Sequence, residues 1–282
     1  CNVIFIGSHV GGYCRFSFDI TDTLDENGNA FIVLRVEDDN TCTKPRGKQT
    51  WMNEPFGCWY VATSGIWKSV WAERVSCTHI KHIKATPNPE NYHVFFEYET
   101  EKAQDYTLTT IVKIKGEKVA EQSVLLKREN GTYSVDFSTD TDSFKIHWWT
   151  PENPQLYDLE YILRDNEGNI VDKVSSYVGF RVFKTSGNKL MLNLNPIYLR
   201  LALEQCYWRE SGLTAPNEDA FIKEIELAKA LGFNGLRMHQ KIEDERFYYY
   251  ADVMGMLVFC EMPSSYEFNE VAIEKVTKEW MD

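Results

Sequence analysis

The sequence predicts two consecutive β-sandwich segments followed by the opening units of a parallel α/β barrel. Three observations carry this reading. First, residues 1–76 and 77–185 hold short runs of alternating apolar residues broken by Gly, Asn and Asp turns, the pattern of antiparallel sheets. Second, the pattern changes near residue 186. Three apolar runs at 198–205, 234–239 and 256–262 then alternate with two amphipathic helical patterns. A β-α-β-α-β order of that kind implies parallel strands with helical crossovers. Third, 86 residues follow Pro196, whereas a closed eight-stranded barrel takes about 250. The chain is therefore expected to hold the first three βα units of such a barrel and to be part of a larger enzyme.

In residues 1–76 the run Phe31-Ile-Val-Leu-Arg-Val36 alternates as a strand should, and Asp25-Glu-Asn-Gly28 reads as a turn. Too few such runs are present for a whole sandwich, so only part of one is expected. The start, Cys1-Asn-Val-Ile-Phe-Ile, reads as the middle of a strand. It has neither the basic region nor the cleavage site of a signal peptide.

Residues 77–185 repeat the pattern more clearly. Tyr106, Leu108, Val112 and Ile114 share one parity. So do Tyr157, Leu159, Tyr161 and Leu163, with Asp158 and Glu160 facing out. Turns are expected at Lys115-Gly-Glu117, Asn130-Gly131 and Asn166-Glu-Gly-Asn169, intervals suited to a small antiparallel sandwich. This segment offers no catalytic constellation and reads as a spacer. The Trp148-Trp149 pair is expected in its core and at an interface.

In residues 186–282, Asn217 is placed to cap a helix whose first turn holds Glu218 and Asp219, matching the helix dipole. Phe221, Ile222, Ile225, Ala228 and Leu231 follow helical spacing, and Gly232 fits the stop. A second helix begins near Glu243-Asp-Glu245, buries Phe247, Ala251 and Met254, and ends at Gly255. Tyr248-Tyr-Tyr250 sits mid-helix and reads as packing.

The totals exclude several classes. A net charge of −12 disfavours nucleic acid, which needs clustered positive charge. The one basic cluster, Lys44-Pro-Arg46-Gly-Lys48, reads as a solvated loop. No run approaches the roughly 18 apolar residues of a membrane span. The seven cysteines are odd in number and irregularly spaced, so reduced, mostly buried thiols in a cytoplasmic protein are expected. No metal or cofactor is expected.

Functional groups of parallel barrels gather at the C-terminal ends of the strands. Those ends supply Glu204, Gln205 and Trp208, then Arg237 and His239, then Glu261. Together they offer directed hydrogen bonds for hydroxyls and an indole for the apolar face of a sugar ring. Each has a plainer alternative. Arg237 pairs equally well with Glu261 across neighbouring strands, His239 could be a strand-end histidine, and Trp208 could be a lid over the core.

Several stretches resemble glycoside hydrolase family 2, which includes β-galactosidases, β-glucuronidases and β-mannosidases. Gly11-Gly-Tyr13, Phe16-Ser-Phe-Asp19-Ile-Thr21 and Ser64-Gly-Ile-Trp67-Lys-Ser-Val-Trp71 resemble its jelly-roll, sugar-binding-type domain. Trp149-Thr-Pro-Glu-Asn-Pro154-Gln-Leu-Tyr157 and Val178-Gly-Phe-Arg181 resemble its immunoglobulin-like module. Leu231-Gly-Phe-Asn234-Gly-Leu-Arg237-Met-His239 and Glu261-Met-Pro263 resemble its barrel. The resemblance implies a retaining exo-β-glycosidase acting on oligosaccharides or glycosides and working as a homo-oligomer at full length. It also implies an acid/base Glu and a nucleophilic Glu beyond Asp282, so the chain alone is expected to be inactive. Where a subgroup of the family reads Asp-Gln-Gly, this chain has Glu204-Gln205-Cys206, which could reshape the pocket floor. The competing reading is a non-catalytic carbohydrate-binding or scaffold protein built of β-sandwiches.

Overall fold

The structure, a computed structural model, describes residues 2, 4–138 and 146–281. It divides into two compact units. One comprises Trp71–Arg200 with Tyr249–Leu257, and the other Cys1–Val70, Leu201–Tyr248 and Val258–Asp282.

The first unit is built on seven antiparallel strands: β1 (His79–Asn88), β2 (His93–Glu101), β3 (Thr107–Ile114), β4 (Glu117–Leu125), β5 (Asn130–Asp136), β6 (Tyr157–Arg164) and β7 (Ile170–Val178). They form a three-stranded sheet, β1-β2-β5, and a four-stranded sheet, β4-β3-β6-β7. Inward-facing Phe96, Leu108, Val112, Tyr157, Leu159 and Leu163 are sealed from solvent between them. Burying each such side chain contributes about 1.5–3 kcal/mol. Phe137 packs edge-on against Tyr157 and Phe180, with ring centres 5.1 and 5.3 Å apart, a geometry the ring quadrupoles favour. The expected parity of β3 and β6 is thus observed.

Two of the three expected turns are found. Lys115 (φ 51°) and Gly116 (φ 85°) form a two-residue hairpin loop between β3 and β4, as a primed turn requires. Between β6 and β7, Asp165 Oδ1 accepts the Glu167 and Asn169 amides. Asn130-Gly131 is instead the start of strand β5. A Cβ at Gly131 would lie 2.6 Å from the Tyr98 hydroxyl, so a larger residue there would have to displace that ring.

Trp149 is 1% exposed. Its Nε1 donates to the Asp252 carbonyl at 2.7 Å, while the Asp252 carboxylate takes the Tyr177 hydroxyl at 3.1 Å. Gly255 has φ +76°, and a Cβ there would lie 2.3 Å from the Pro151 carbonyl oxygen. Both the left-handed backbone and the close approach demand glycine. Gly255→Ala is expected to destabilise this unit by at least ~2 kcal/mol, the sum of αL strain and displaced backbone. Urea unfolding of the two proteins checks this; equal midpoints would refute it. Three short strands, β8 (Phe183–Ser186), β9 (Lys189–Leu192) and β10 (Asn195–Pro196), complete the unit as a sheet of order β10-β9-β8.

The second unit holds the alternating elements: β11 (Leu201–Glu204), α1 (Glu218–Ala230), β12 (Gly235–Met238), α2 (Glu245–Met254), β13 (Leu257–Cys260) and α3 (Glu270–Met281), with α2 and β13 beginning or ending across the division. The strand order is β11-β12-β13, and β11 runs parallel to β12. The Asn217 side chain caps α1 by accepting the Ala220 amide. At the other end Gly232 N–H bonds Lys229 O and Phe233 N–H bonds Ala228 O, the Schellman pattern that a C′ glycine permits. Among the described residues, no helix is long and apolar enough to cross a membrane.

Three expectations are corrected. The partial jelly roll over residues 1–76 does not form strands among the described residues: they carry a 3₁₀ turn at Thr21–Thr23 and isolated bridges such as Gln49–Tyr60. Phe31 and Val33 are 74% and 73% exposed. Alternation makes a segment strand-competent, but a ladder needs a neighbour to take its N–H and C=O groups. The basic cluster is not a solvated loop, since Arg46 and Lys48 are only 4% and 9% exposed. The Arg46 guanidinium donates to the carbonyls of Asp39, Thr41 and Thr50. The thiols are not mostly buried: Cys206 is buried, Cys14 and Cys42 half-buried, and Cys58, Cys77 and Cys260 exposed. Cys1 lies outside the described residues.

Candidate functional site

The site residues expected from the sequence lie at the C-terminal ends of β11, β12 and β13. Strand alternation sorts them. Leu236 and Met238 are 2% and 0% exposed, so Arg237 and His239 emerge on the opposite face. Burying the apolar pair is the cheaper choice, because unpaired polar groups in a core cost several kcal/mol.

Arg237 and His239 converge on one carboxylate. Arg237 Nε donates to Glu261 Oε1, and His239 Nδ1 lies 2.8 Å from Glu261 Oε2. The Gln240 amide adds a contact to the same oxygen at 3.3 Å. Partial burial raises the Glu261 carboxyl, but hydrogen bonds from His239 and Arg237 outweigh it and hold the group below its ordinary value. The arrangement is a fixed, ionised carboxylate between a guanidinium and an imidazole. It can present an ordered row of donors and acceptors to hydroxyl groups.

The β11 end behaves differently. Glu204 turns its carboxylate back on the chain, where Oε1 accepts the amides of Gln205 and Cys206 at 2.9 and 2.7 Å. Gln205 Oε1 is buried without a hydrogen-bond partner. Trp208 packs edge-on to Phe221 at 6.1 Å, and its ring centre lies 4.8 Å from the Lys241 ammonium. One face of the indole therefore covers a cation.

That lysine was not anticipated. Lys241 is 1% exposed and pairs with the equally buried Glu243 at 2.5 Å. It also donates to the Cys206 and Leu213 carbonyls, both at 2.7 Å, and lies 5.1 and 5.7 Å from the Trp67 and Tyr207 rings. The signal was present in Lys241-Ile-Glu243, where two charges two residues apart follow directly on a buried strand. A second omission is the aromatic cluster of Trp51, Phe56, Trp59 and Tyr266, whose neighbouring ring centres lie 4.9–5.4 Å apart. Tyr266 donates its hydroxyl to Gln240 Oε1 at 2.7 Å. Gly47 approaches so closely that a Cβ would lie 2.3 Å from the Gln240 carbonyl. Segment 46–60 is thereby seated beside the strand ends, a long-range pairing that local periodicity does not encode.

Glu204, Cys206 and Glu224 bring ligand atoms within 4.8 Å of one another. Glu204 Oε1 already serves two amides, and the Lys241 ammonium donates to the Cys206 carbonyl beside them. Burial, then repulsion from Glu204 and Glu243, pushes the Glu224 carboxyl from 4.5 up to about 8. Burial likewise raises the Cys206 thiol. A carboxyl raised on folding binds its proton more tightly in the native state, so stability falls as pH climbs from about 4.5 to 8. Glu224→Gln is expected to flatten that part of the stability–pH curve and to raise stability relative to wild type at pH 8. Identical slopes for the two proteins would refute it.

Comparison with known proteins agrees with this architecture. Residues 78–181 match the model of glycosyl hydrolases family 2, a stretch that spans β1 to β7. The β-galactosidase of Thermoanaerobacter pseudethanolicus is 26% identical over 98% of the chain and 36% of its own length. Residues 78–181 are thus a glycosyl hydrolases family 2 domain. Two solved structures share the fold over about 70% of the chain. The β-D-glucuronidase of Dictyoglomus thermophilum aligns with a TM-score of 0.55 at 23% identity, over 68% of the chain and 31% of its own. A Ruminococcus gnavus β-glucuronidase in complex with D-glucuronic acid gives 0.58 at 19% identity, over 71% and 33%. The chain spans about a third of the length of these curated relatives.

Proposed function

We propose that these residues belong to a retaining exo-β-glycosidase that hydrolyses terminal β-linked sugars, and that they are a catalytically incomplete portion of it. The observation that carries the reading is the convergence of Arg237 and His239 on Glu261 at the ends of parallel strands. The same reading assigns 77–185 to an immunoglobulin-like spacer and 186–282 to the first three βα units of a TIM barrel. Arg237, His239 and Glu261 bind the sugar at the catalytic rim. Glu204, Gln205 and Trp208 shape the neighbouring wall.

Retention needs two carboxylates about 5–5.5 Å apart, one protonating the leaving oxygen and one attacking the anomeric carbon. Glu261 is engaged by Arg237 and His239, and Glu204 by backbone amides, so neither is poised for those roles. Residues outside this chain supply them. The test is an assay on nitrophenyl β-galactoside, β-glucuronide, β-glucoside and β-mannoside. The 282-residue chain should match a buffer blank, while a polypeptide of the relatives' length should turn over at least one of them. NMR should show the β-anomer released first. Turnover by the chain alone, or inversion at the anomeric carbon, would overturn the reading.

A further inference from the structure

A cavity of about 350 Å³ is walled by Trp67, Lys68, Thr214, Asn217, Asp244 and Arg246 among others. Its size is at the lower end for small-molecule pockets, roughly 300–1,000 Å³. It is built from segment 66–69, the stretch that leads into α1 and the stretch that leads into α2. None of the rim residues lines it.

Lys68 and Arg246 equal Glu243 and Asp244 in number in this wall, but the direct pairing leaves Lys68 over. Glu243 is matched by Lys241 at 2.5 Å. Asp244 is held in two-point fashion by Arg246, Nε to Oδ1 and Nη2 to Oδ2, both at 2.9 Å. Glu245, next in sequence, is paired with Arg15. Among the described residues Lys68 has no carboxylate within ion-pair distance. Its ammonium donates to the Glu243 carbonyl at 2.9 Å and sits 4.8 Å from the Trp67 ring centre. One of its three N–H groups is thus committed to a neutral acceptor. Burial lowers its pKa, with the carboxylates of Glu243, Asp244 and Glu245 acting against that from a distance. A half-buried cation in a cavity, with unused donors and no direct counter-charge, calls for an anionic ligand.

The rest of the wall narrows the class. Ile66, Pro216 and Phe221 are apolar, while Ser69, Thr214 and Asn217 carry hydroxyl or amide groups. Apolar faces alternating with hydrogen-bonding groups suit a hydroxylated ring. We propose that this cavity, which none of the rim residues lines, is a saccharide site that takes a monoanionic sugar with its carboxylate or sulfate on Lys68. Binding is read on the chain itself, so its outcome does not depend on the glycosidase reading.

The experiment is calorimetric titration of the 282-residue chain with methyl β-glucuronide, glucose 6-sulfate, methyl β-glucoside and acetate. An ion-paired hydrogen bond is worth enough for about tenfold or more in affinity. One of the two anionic sugars should therefore bind at least about tenfold more tightly than the neutral glucoside and than acetate. Which of them does so distinguishes a carboxylate from a sulfate ligand. Lys68→Met should lose that preference and Lys68→Arg should keep it. If Lys68→Met fails to fold, reductive methylation of the wild-type chain replaces it: the bound sugar should protect Lys68, read by mass spectrometry. Equal binding of charged and neutral sugars, acetate binding as tightly as either anionic sugar, an unchanged preference in Lys68→Met, or no binding at all would overturn the proposal.

Discussion

Arg237→Ala is expected to lower turnover of the full-length enzyme by about 10²-fold or more, the scale seen when one preorganised electrostatic group is lost from an active site. The guanidinium is one of two side chains that fix Glu261. Without it the carboxylate keeps only the imidazole and an amide, and the rim loses its one permanently charged donor. Stability should change little, because the Arg237 side chain is 47% exposed and half-exposed ion pairs contribute about 0–1 kcal/mol. The measurement is kcat/KM beside a melting curve. Wild-type turnover with a normal melt would reduce the Arg237–Glu261 pair to a strand-end ion pair. A large fall in Tm would make the residue structural.

The orientation of Arg237 and His239 was legible in the sequence because a strand's period of two leaves only two choices. Leu236 and Met238 decide between them. The helix ends were legible for a similar reason: Asn217 and Gly232 act through bonds that span a few residues. Less legible were features whose partners are distant in sequence. Residues 31–36 have the alternation of a strand, yet strandedness depends on a neighbour that no local pattern supplies. Gly131 looked like a turn residue beside Asn130, but the constraint on it comes from Tyr98, a cross-strand contact. Arg46 was misjudged because three carbonyls solvate its charge inside the protein, and backbone acceptors leave no trace in composition. Glu204 kept its place at the end of β11, but not the outward aim that its position suggested.

Lys241→Met should have the largest effect on stability. The ammonium and the Glu243 carboxylate are each 1% exposed, so removing one strands the other in a site water does not reach. Breaking a buried pair in this way costs about 3–5 kcal/mol. The Cys206 and Leu213 carbonyls lose their donor in the same step, which adds to the penalty rather than offsetting it. In a domain of this size, that loss lowers Tm by roughly 10 °C. The loss should be conditional on Glu243 remaining charged. Glu243→Gln in the same chain removes the stranded charge while its carbonyl oxygen still accepts the Asp244 amide, as Oε1 does now at 2.7 Å. Lys241→Met with Glu243→Gln should therefore be more stable than Lys241→Met alone, a coupling that thermal melts of the four proteins measure directly. Strict additivity, or a single-variant cost under ~1 kcal/mol, would mean that the two charges do not depend on each other. Trp67, Tyr207 and Trp208 surround the ammonium with ring centres 4.8–5.7 Å away, so its loss also removes what orients them. Near-ultraviolet circular dichroism should record that repacking in Lys241→Met, at temperatures where the chain is still folded.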